Sequence, residues 1–144
     1  MTNKLIIDYD YDFGLIGIES KVKGYKLAWL INSVLGVHLI KGDDIKLTLP
    51  QQNYLLISNF LYKEEYNLMR LLKNSCERVE KGKVSHENLI PECGDFDYFI
   101  LLEGCEWEIG VIQKIISKLE LLDEVTGLGV IEAGQLPSRE YLIF

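Results

Sequence analysis

A short, almost continuously apolar run in the second half of the chain most constrains the fold. Residues Phe96–Leu102 contain one charged side chain, Asp97, among aromatic and aliphatic ones. Pro91 and Gly94 precede the run and Gly104 follows it, so turn-forming residues bound it on both sides. A short apolar run between turns is typical of a strand that is buried on both faces. We therefore expect this run to form a central strand of a β-sheet.

The same region resembles the signature of a known family. Ile90-Pro91-Glu92 is followed by Phe96-Asp97-Tyr98, which is similar to the pattern of the IPExxVDY family, with three intervening residues and phenylalanine in place of valine. Further similar segments are Leu15–Ile18, Tyr25–Asn32, Leu56–Asn59 and Tyr141–Phe144. The resemblance implies a single compact domain in a family of small bacterial, mainly Bacteroidetes proteins. It brings no biochemical activity with it.

Two segments have the spacing of amphipathic helices. The first is Val22–Leu35, in which apolar residues recur every three to four positions, with Ser20 as the expected cap and Gly36 as the expected end. The second is Glu106–Leu122, whose apolar stripe is Ile109, Ile112, Ile116 and Leu119. We predict both segments to be helical.

The other apolar segments predict strands. These are Lys4–Ile18, Ile45–Leu49, Tyr54–Tyr62, Tyr66–Leu72 and Val125–Ala133. Asn67–Leu72 also fits a helical face, although we prefer a strand. Gly14 and Gly17 indicate bends, a bulge or a close approach to a neighbour. Glu77–Asn88 is charged and contains Gly82, so we expect an exposed, mobile loop there.

This order of elements predicts an α+β fold. We expect a two-layer sandwich, with two main helices on one face of a mostly antiparallel sheet and a ferredoxin-like tendency. Residues 1–144 are long enough for one globular domain with its own core. Helices on one face leave the other face open, and a second copy would cover it. We therefore expect a homodimer, with Trp29 as a candidate for contact at the edge of the core or between subunits.

Charge and apolar content exclude several classes of partner. The net charge is −7, which disfavours nucleic acid, and the patch formed by Lys21, Lys23 and Lys26 is small. The sequence has no apolar run of the length that a membrane helix needs, and it has no signal-peptide pattern. We therefore expect a cytoplasmic protein that does not bind membranes.

Cysteines are one possible source of chemistry. Cys76, Cys93 and Cys105 form no Cys-x-x-Cys pair, so we interpret them as buried thiols rather than as metal ligands or disulfides. A catalytic cysteine would need His38 or His86 as its base, which we consider the weaker hypothesis.

An acidic repeat near the N-terminus imitates a calcium loop. Asp8, Asp10 and Asp12 alternate with aromatic residues, and Glu19 occupies the twelfth place, but the position that requires glycine is Phe13. The alternation is that of a strand, which cannot wrap around an ion. We expect a solvated strand face, no tight binding of divalent metal and no cofactor.

The candidate pocket is formed by Glu92, Asp95, Asp97 and Tyr98, at the start of the predicted central strand. Neighbouring carboxylates support acid–base chemistry when their surroundings separate their pKa values. The structural interpretation, which we prefer, is that Asp97 accepts N–H groups of the preceding turn. Glu92 would then be exposed or paired with a lysine.

These observations leave three classes of function open. We favour a non-catalytic, dimeric interaction or scaffold module with an unknown protein partner. The alternative is a regulatory domain that binds a small molecule, and it rests on fold analogy. The least favoured class is an acid–base enzyme that uses Glu92, Asp95 and Asp97.

Overall fold

The computed structural model describes residues 14–104, 109–132, 134 and 136–142. Within these ranges the chain has a mixed α+β fold that is mostly sheet. The helices are α1 (Gly24–Leu35) and α2 (Ile109–Leu119). The strands are β1 (Gly14–Glu19), β2 (Ile40–Lys41), β3 (Ile45–Thr48), β4 (Tyr54–Ile57), β5 (Asn59–Lys63), β6 (Asn67–Lys73), β7 (Ser75–Glu80), β8 (Lys83–Asn88), β9 (Tyr98–Gly104) and β10 (Gly127–Ile131).

The strands form two antiparallel sheets. The larger sheet has the order β10-β1-β9-β6-β5-β2, and the smaller one has the order β3-β4-β7-β8. Strand β9 pairs with β1 on one side and with β6 on the other, so that Leu101 lies opposite both Leu15 and Arg70. The prediction that the apolar run forms a central strand is confirmed.

Alternate side chains of β9 enter two different hydrophobic clusters. Phe99 and Leu101 join a cluster that lies between the two sheets. Tyr98, Ile100 and Leu102 join a second cluster, which contains the buried residues of both helices. Because successive side chains of a strand point to opposite faces, one apolar run supplies both clusters.

The larger sheet differs from the predicted two-layer arrangement because both of its faces are covered within one chain. The face opposite the helices packs against the smaller sheet, whose Leu55, Ile57 and Cys76 share a cluster with Leu15 and Phe99. The expectation of an open sheet face, from which the homodimer was inferred, is therefore wrong. The homodimer itself stays a prediction.

Two chain segments cross from one sheet to the other. The predicted strand Tyr54–Tyr62 is divided at Ser58 into β4 and β5, which lie in different sheets. The predicted strand Tyr66–Leu72 is confirmed as β6, and after Asn74 the chain continues as β7 in the smaller sheet. Such corners are the usual way in which strands switch between packed sheets. The helical alternative for Asn67–Leu72 is wrong.

The predicted mobile loop Glu77–Asn88 is wrong, because these residues belong to the hairpin of β7 and β8. Lys81 and Gly82 form its turn with φ angles of 51° and 81°. Two positive φ angles are the geometry of the type I′ turn that tight hairpins prefer. Most of its charged residues are exposed, and the half-buried Arg78 and Glu87 bond each other across the hairpin at 3.0 Å.

Helix α1 packs through Leu27, Ala28 and Ile31, and it ends at Gly36 as predicted, with a φ of 69°. The expected cap is wrong, since the N-cap residue is Lys23 and no side chain caps the first turn. Ser20 lies before the helix and is 2% exposed.

Other predicted elements are partly described. Helix α2 and strand β10 confirm the cores of the two predicted C-terminal elements, with Ile115 and Leu119 of α2 buried. Of the predicted first strand, Lys4–Ile18, the part from Gly14 onwards is confirmed as β1, and residues 4–13 lie outside the described residues. Asp8, Asp10, Asp12, Cys105 and Trp107 lie outside the described residues. In the described ranges, neither helix is long and apolar enough to cross a membrane.

Candidate functional site

The site is organised around Asn74, the corner residue between β6 and β7. Its side chain is 1% exposed and bonds only main-chain groups. Its amide donates to the carbonyl oxygens of Cys93 (3.2 Å) and Phe96 (2.9 Å), and its oxygen accepts the N–H of Ile90 at 2.9 Å. Asn74 thereby holds the segment between β8 and β9, residues 89–97, which we call the β8–β9 connection.

Glu92 lies on this connection, in a short 3₁₀ turn that begins at Pro91. Its carboxylate accepts the Ser138 N–H at 2.8 Å and the Ser138 hydroxyl at 3.0 Å. Partial burial raises the pKa of Glu92, but hydrogen bonds from its own N–H and from Ser138 outweigh this and lower the pKa. The expectation of an exposed Glu92 is confirmed, but the carboxylate bonds Ser138 of the 136–142 segment rather than a lysine.

Asp97 accepts a backbone hydrogen bond, but not from the turn that precedes it. One carboxylate oxygen accepts the Ser20 N–H at 2.8 Å, and the other lies 3.6 Å from Lys21 Nζ. The backbone N–H of Asp97 donates to the carbonyl of Ile18. The predicted role of Asp97 as a turn anchor is therefore corrected: it holds the loop between β1 and α1, which is remote in sequence.

Tyr98 also holds this loop. Its side chain is 4% exposed, and its hydroxyl donates to the Val22 carbonyl at 2.7 Å. Burial raises the pKa of Tyr98, and the negative charge of Asp97 raises it further. A phenol with a raised pKa that is bonded to a main-chain oxygen is poorly suited to accept or deliver protons near neutral pH.

The four predicted site residues are therefore divided between separate contacts. Glu92 bonds the 136–142 segment, while Asp97 and Tyr98 bond the β1–α1 loop. Asp95 is exposed on the connection. The three bonded side chains have three different partner residues, Ser138, Ser20 and Val22, and they do not bond a common group. This arrangement indicates a structural role.

Asp97 and Tyr98 line a cleft that we call the lysine cleft. It has a volume of about 250 Å³ and lies where the β1–α1 loop approaches the Asn74 corner. Its charged lining residues are Lys21, Lys23, Lys73 and Asp97, and its polar ones are Ser20, Asn74, Ser75 and Asn88. The sequence shows Lys21 and Lys23 only as a surface patch. It does not reveal the other lining residues of the cleft, because the bend at Asn74 brings them close to the two lysines and no local sequence pattern predicts this bend.

The two described cysteines are not activated nucleophiles. Cys76 is 1% exposed, and burial raises its pKa to about 12. Its thiol contacts the carbonyl oxygens of Lys73 and Asn74. Burial, and then the charges of Glu92 and Asp95, also raise the pKa of Cys93. Reactive cysteines have lowered pKa values, so both are consistent with structural thiols.

The described ranges contain no cluster of metal ligands. No three histidine, cysteine, aspartate or glutamate side chains of residues 14–104, 109–132, 134 and 136–142 lie close enough to hold an ion together. Glu19, the last residue of the calcium-like pattern, accepts a hydrogen bond from the Thr126 hydroxyl at 2.9 Å. The three aspartates of that pattern lie outside the described residues.

Comparison of the chain with models of known families, with curated proteins and with solved structures gives no match. The resemblance to the IPExxVDY family therefore stays a prediction. The signature residues have one structural property in common, which is a hydrogen bond from the β8–β9 connection or β9 to another segment of the chain. These residues are Ile90, Glu92, Asp97 and Tyr98. The function of these residues is therefore inferred from the geometry of the site.

Proposed function

We propose that the chain is a non-catalytic interaction module that forms a homodimer through the exposed face of α1. The observation that carries this proposal is the exposure of Tyr25 (68%) and Trp29 (65%). Residues four apart lie on the same face of a helix, so the two rings form one aromatic surface. Aromatic side chains are enriched at protein interfaces and supply much of their binding energy.

A second copy is the partner that fits this surface best. Identical faces related by a two-fold axis contact each other, so an aromatic pair meets an aromatic pair.

Light scattering at micromolar concentration tests the homodimer. We expect twice the mass of one chain for the wild type and a shift towards the mass of one chain for Trp29→Ser. Tyr66→Ser is the matched control, because Tyr66 is equally exposed (69%) and lies on the loop between β5 and β6. A wild type that stays monomeric, or equal effects of the two variants, would show that this face does not dimerise the protein.

The lysine cleft supports a second candidate function, a regulatory domain that binds a small ligand. Its volume of about 250 Å³ and its mixture of charged and polar groups suit a small polar molecule. A thermal-shift screen with metabolites tests this candidate. The acid–base enzyme has less support, because Glu92 and Asp97 bond different segments and Asp95 is exposed.

The order of four strands supports a ferredoxin-like core as a further part of the proposal. In the order β10-β1-β9-β6, helix α1 follows β1 and helix α2 follows β9. Strands β1 and β6 flank the antiparallel β9, and β9 and β10 flank the antiparallel β1. This is the interleaved pattern of a split βαβ unit. Strands β2–β5 would be an insertion between α1 and β6.

Membership of the IPExxVDY family and a cytoplasmic location belong to the same proposal. The quoted signature residues support the first, and the acidic composition supports a protein or small-molecule partner over nucleic acid.

A further inference from the structure

We propose that the lysine cleft binds a small anion of the phosphate type, either inorganic phosphate or a phosphomonoester. This inference rests on the second candidate function, that of a ligand-binding domain. It adds the chemical class of the ligand and the residues that would contact it.

Three cations converge on the cleft although the chain as a whole is acidic. Lys21 and Lys23 come from the β1–α1 loop, and Lys73 comes from the end of β6. Asp97 is the one carboxylate among the lining residues, and it already accepts the Ser20 N–H and faces Lys21. The charge left for a ligand is therefore positive. A positive cleft in a protein with a net charge of −7 selects small anions, since a long polyanion would be repelled by the rest of the surface.

A buried hydroxyl in the cleft has an unused donor. Ser20 is 2% exposed, and its oxygen accepts a long hydrogen bond of 3.4 Å from the Val22 N–H. The hydroxyl proton itself is donated to no acceptor among the described residues. A buried donor without an acceptor is costly, and a ligand oxygen in the cleft would satisfy it.

The N-terminus of α1 adds partial positive charge. The N-cap residue Lys23 lines the cleft, and no side chain caps the first turn of the helix. The first N–H groups of a helix have no partner inside the helix, and the helix dipole favours an anion near them. Lys23 is the only residue of this helix end that lines the cleft, so the helix adds its dipole to the charge of the three lysines.

Phosphate fits this set of donors better than a carboxylate does. A phosphoryl group offers three strong acceptor oxygens and nearly two negative charges at neutral pH. The cleft is lined by lysines of the β1–α1 loop and of β6, by Ser20 and by the exposed polar residues Ser75 and Asn88. Its volume of about 250 Å³ has room for a phosphoryl group and a short carbon chain.

Titration of the full chain, followed by amide NMR shifts, tests this inference. The probes are inorganic phosphate, glycerol phosphate and, as the uncharged counterpart, glycerol. We expect both phosphates to shift amides of the β1–α1 loop and glycerol to shift none. Tighter binding of glycerol phosphate than of inorganic phosphate identifies a phosphomonoester site, and equal binding identifies a site for phosphate alone.

Two variants and one control assign the binding to this cleft. Lys73→Gln and Ser20→Ala each remove one donor, and each should weaken phosphate binding about tenfold, as loss of a hydrogen bond to a charged group does. Lys73 is exposed, so its replacement leaves the fold intact even if the buried Ser20 variant proves unstable. Lys114→Gln removes the same charge from α2 and should change nothing.

These measurements distinguish a failure of the anion inference from a failure of the proposed ligand-binding function. Equal weakening by Lys73→Gln and Lys114→Gln, or no phosphate binding at all, overturns the inference about the anion. If an uncharged metabolite then binds in the cleft, the ligand-binding function stands without it. If no compound of the thermal-shift screen binds either, both proposals are wrong.

Discussion

Two buried asparagines lie at the corners where the chain passes between the sheets, and they are used differently. Asn74, between β6 and β7, bonds three main-chain groups of the β8–β9 connection through its side chain. Asn59, beside the bend at Ser58, donates to the Asp43 carbonyl at 2.7 Å and accepts from Arg70 at 2.9 Å. The exposed fractions of the two residues are 1% and 2%. Burial alone therefore does not distinguish them.

The difference lies in what each corner fixes. The main-chain groups that Asn74 bonds lie on the β8–β9 connection, which also contains Glu92 and Asp97. Phe96 and Asp97 of this connection line the lysine cleft, so the corner positions one side of the candidate site. The partners of Asn59 are the main chain of Asp43, just after the edge strand β2, and the side chain of Arg70 on β6. Main-chain groups cannot move to new partners when the asparagine that bonds them is replaced, so they stay unpaired. An arginine side chain is flexible and can find other partners.

Replacement of the two asparagines gives the largest expected effect. Asn74→Ala leaves the Phe96 carbonyl and the Ile90 N–H without partners and removes one of the two donors to the Cys93 carbonyl, so we expect a loss of about 3 kcal/mol or more in the free energy of unfolding. Asn59→Ala leaves one carbonyl and an arginine that can rearrange, and we expect about 1–2 kcal/mol. Urea melts with unchanged m-values measure both losses. Equal losses would show that the two corners are equivalent.

A second test concerns how the β8–β9 connection packs on β1. Gly17 lies opposite Gly129, and a Cβ at Gly17 would lie 2.5 Å from Cδ2 of the Phe96 ring. The predicted close approach of a neighbour at Gly17 is thus confirmed. We expect Gly17→Ala to cost about 2–3 kcal/mol because the ring must move.

The control for this prediction is the same change beside a smaller side chain. In a Phe96→Val background the added methyl group has room, so Gly17→Ala should cost less than about 1 kcal/mol. Thermal or urea melts of the four proteins give the coupling energy. A coupling near zero would mean that the Phe96 ring is not what excludes a side chain at Gly17.

Replacement of Asp97, which lines the cleft, should destabilise the fold less than replacement of Asn74 at the corner. Asp97→Ala leaves the Ser20 N–H without its acceptor, and we expect a loss of about 1–2 kcal/mol in urea melts. Asp97→Asn keeps an acceptor oxygen and should cost less. Lys21→Ala is the control for the ion pair, whose lysine side chain is 85% exposed, so its effect should be near zero. A larger loss for Lys21→Ala than for Asp97→Ala would make the ion pair, rather than the Ser20 bond, the main contribution of Asp97.

The smallest expected effect is a pH dependence at Glu92. Because its pKa in the folded protein is lowered from the ordinary 4.5, Glu92 stabilises the fold above about pH 4.5. This stabilisation is lost as the pH falls through the lower pKa of the folded state. The difference in unfolding free energy between wild type and Glu92→Gln should be constant between about pH 7 and 5 and should shrink below about pH 4.5. Asp95→Asn, which removes an exposed carboxylate from the same connection, is the matched control for the loss of one negative charge.

Local sequence patterns by themselves determine several parts of this protein. The apolar run around Ile100 predicts a central strand because burial on both faces requires apolar residues at every position. The spacing of Leu27 and Ile31 and the glycine at position 36 predict α1 and its end, since helical periodicity and a left-handed end are properties of a few neighbouring residues.

The tertiary structure decides where strands bend and what polar side chains bind. The division of Tyr54–Tyr62 at Ser58 leaves the strand pattern intact, so the second sheet is not visible in it. The charged hairpin of β7 and β8 has the composition of a loop because its exposed strand positions carry polar residues.

The candidate site shows the same limit at single residues. The sequence places Asp97 in the correct region, but it points to the nearest N–H groups along the chain as the donors, whereas Ser20 is 77 residues away. Glu92 and Ser138 are 46 residues apart. A sequence pattern reports the preferences of neighbouring residues, whereas a hydrogen bond needs two atoms that only the packing of sheets, helices and connections brings within about 3 Å.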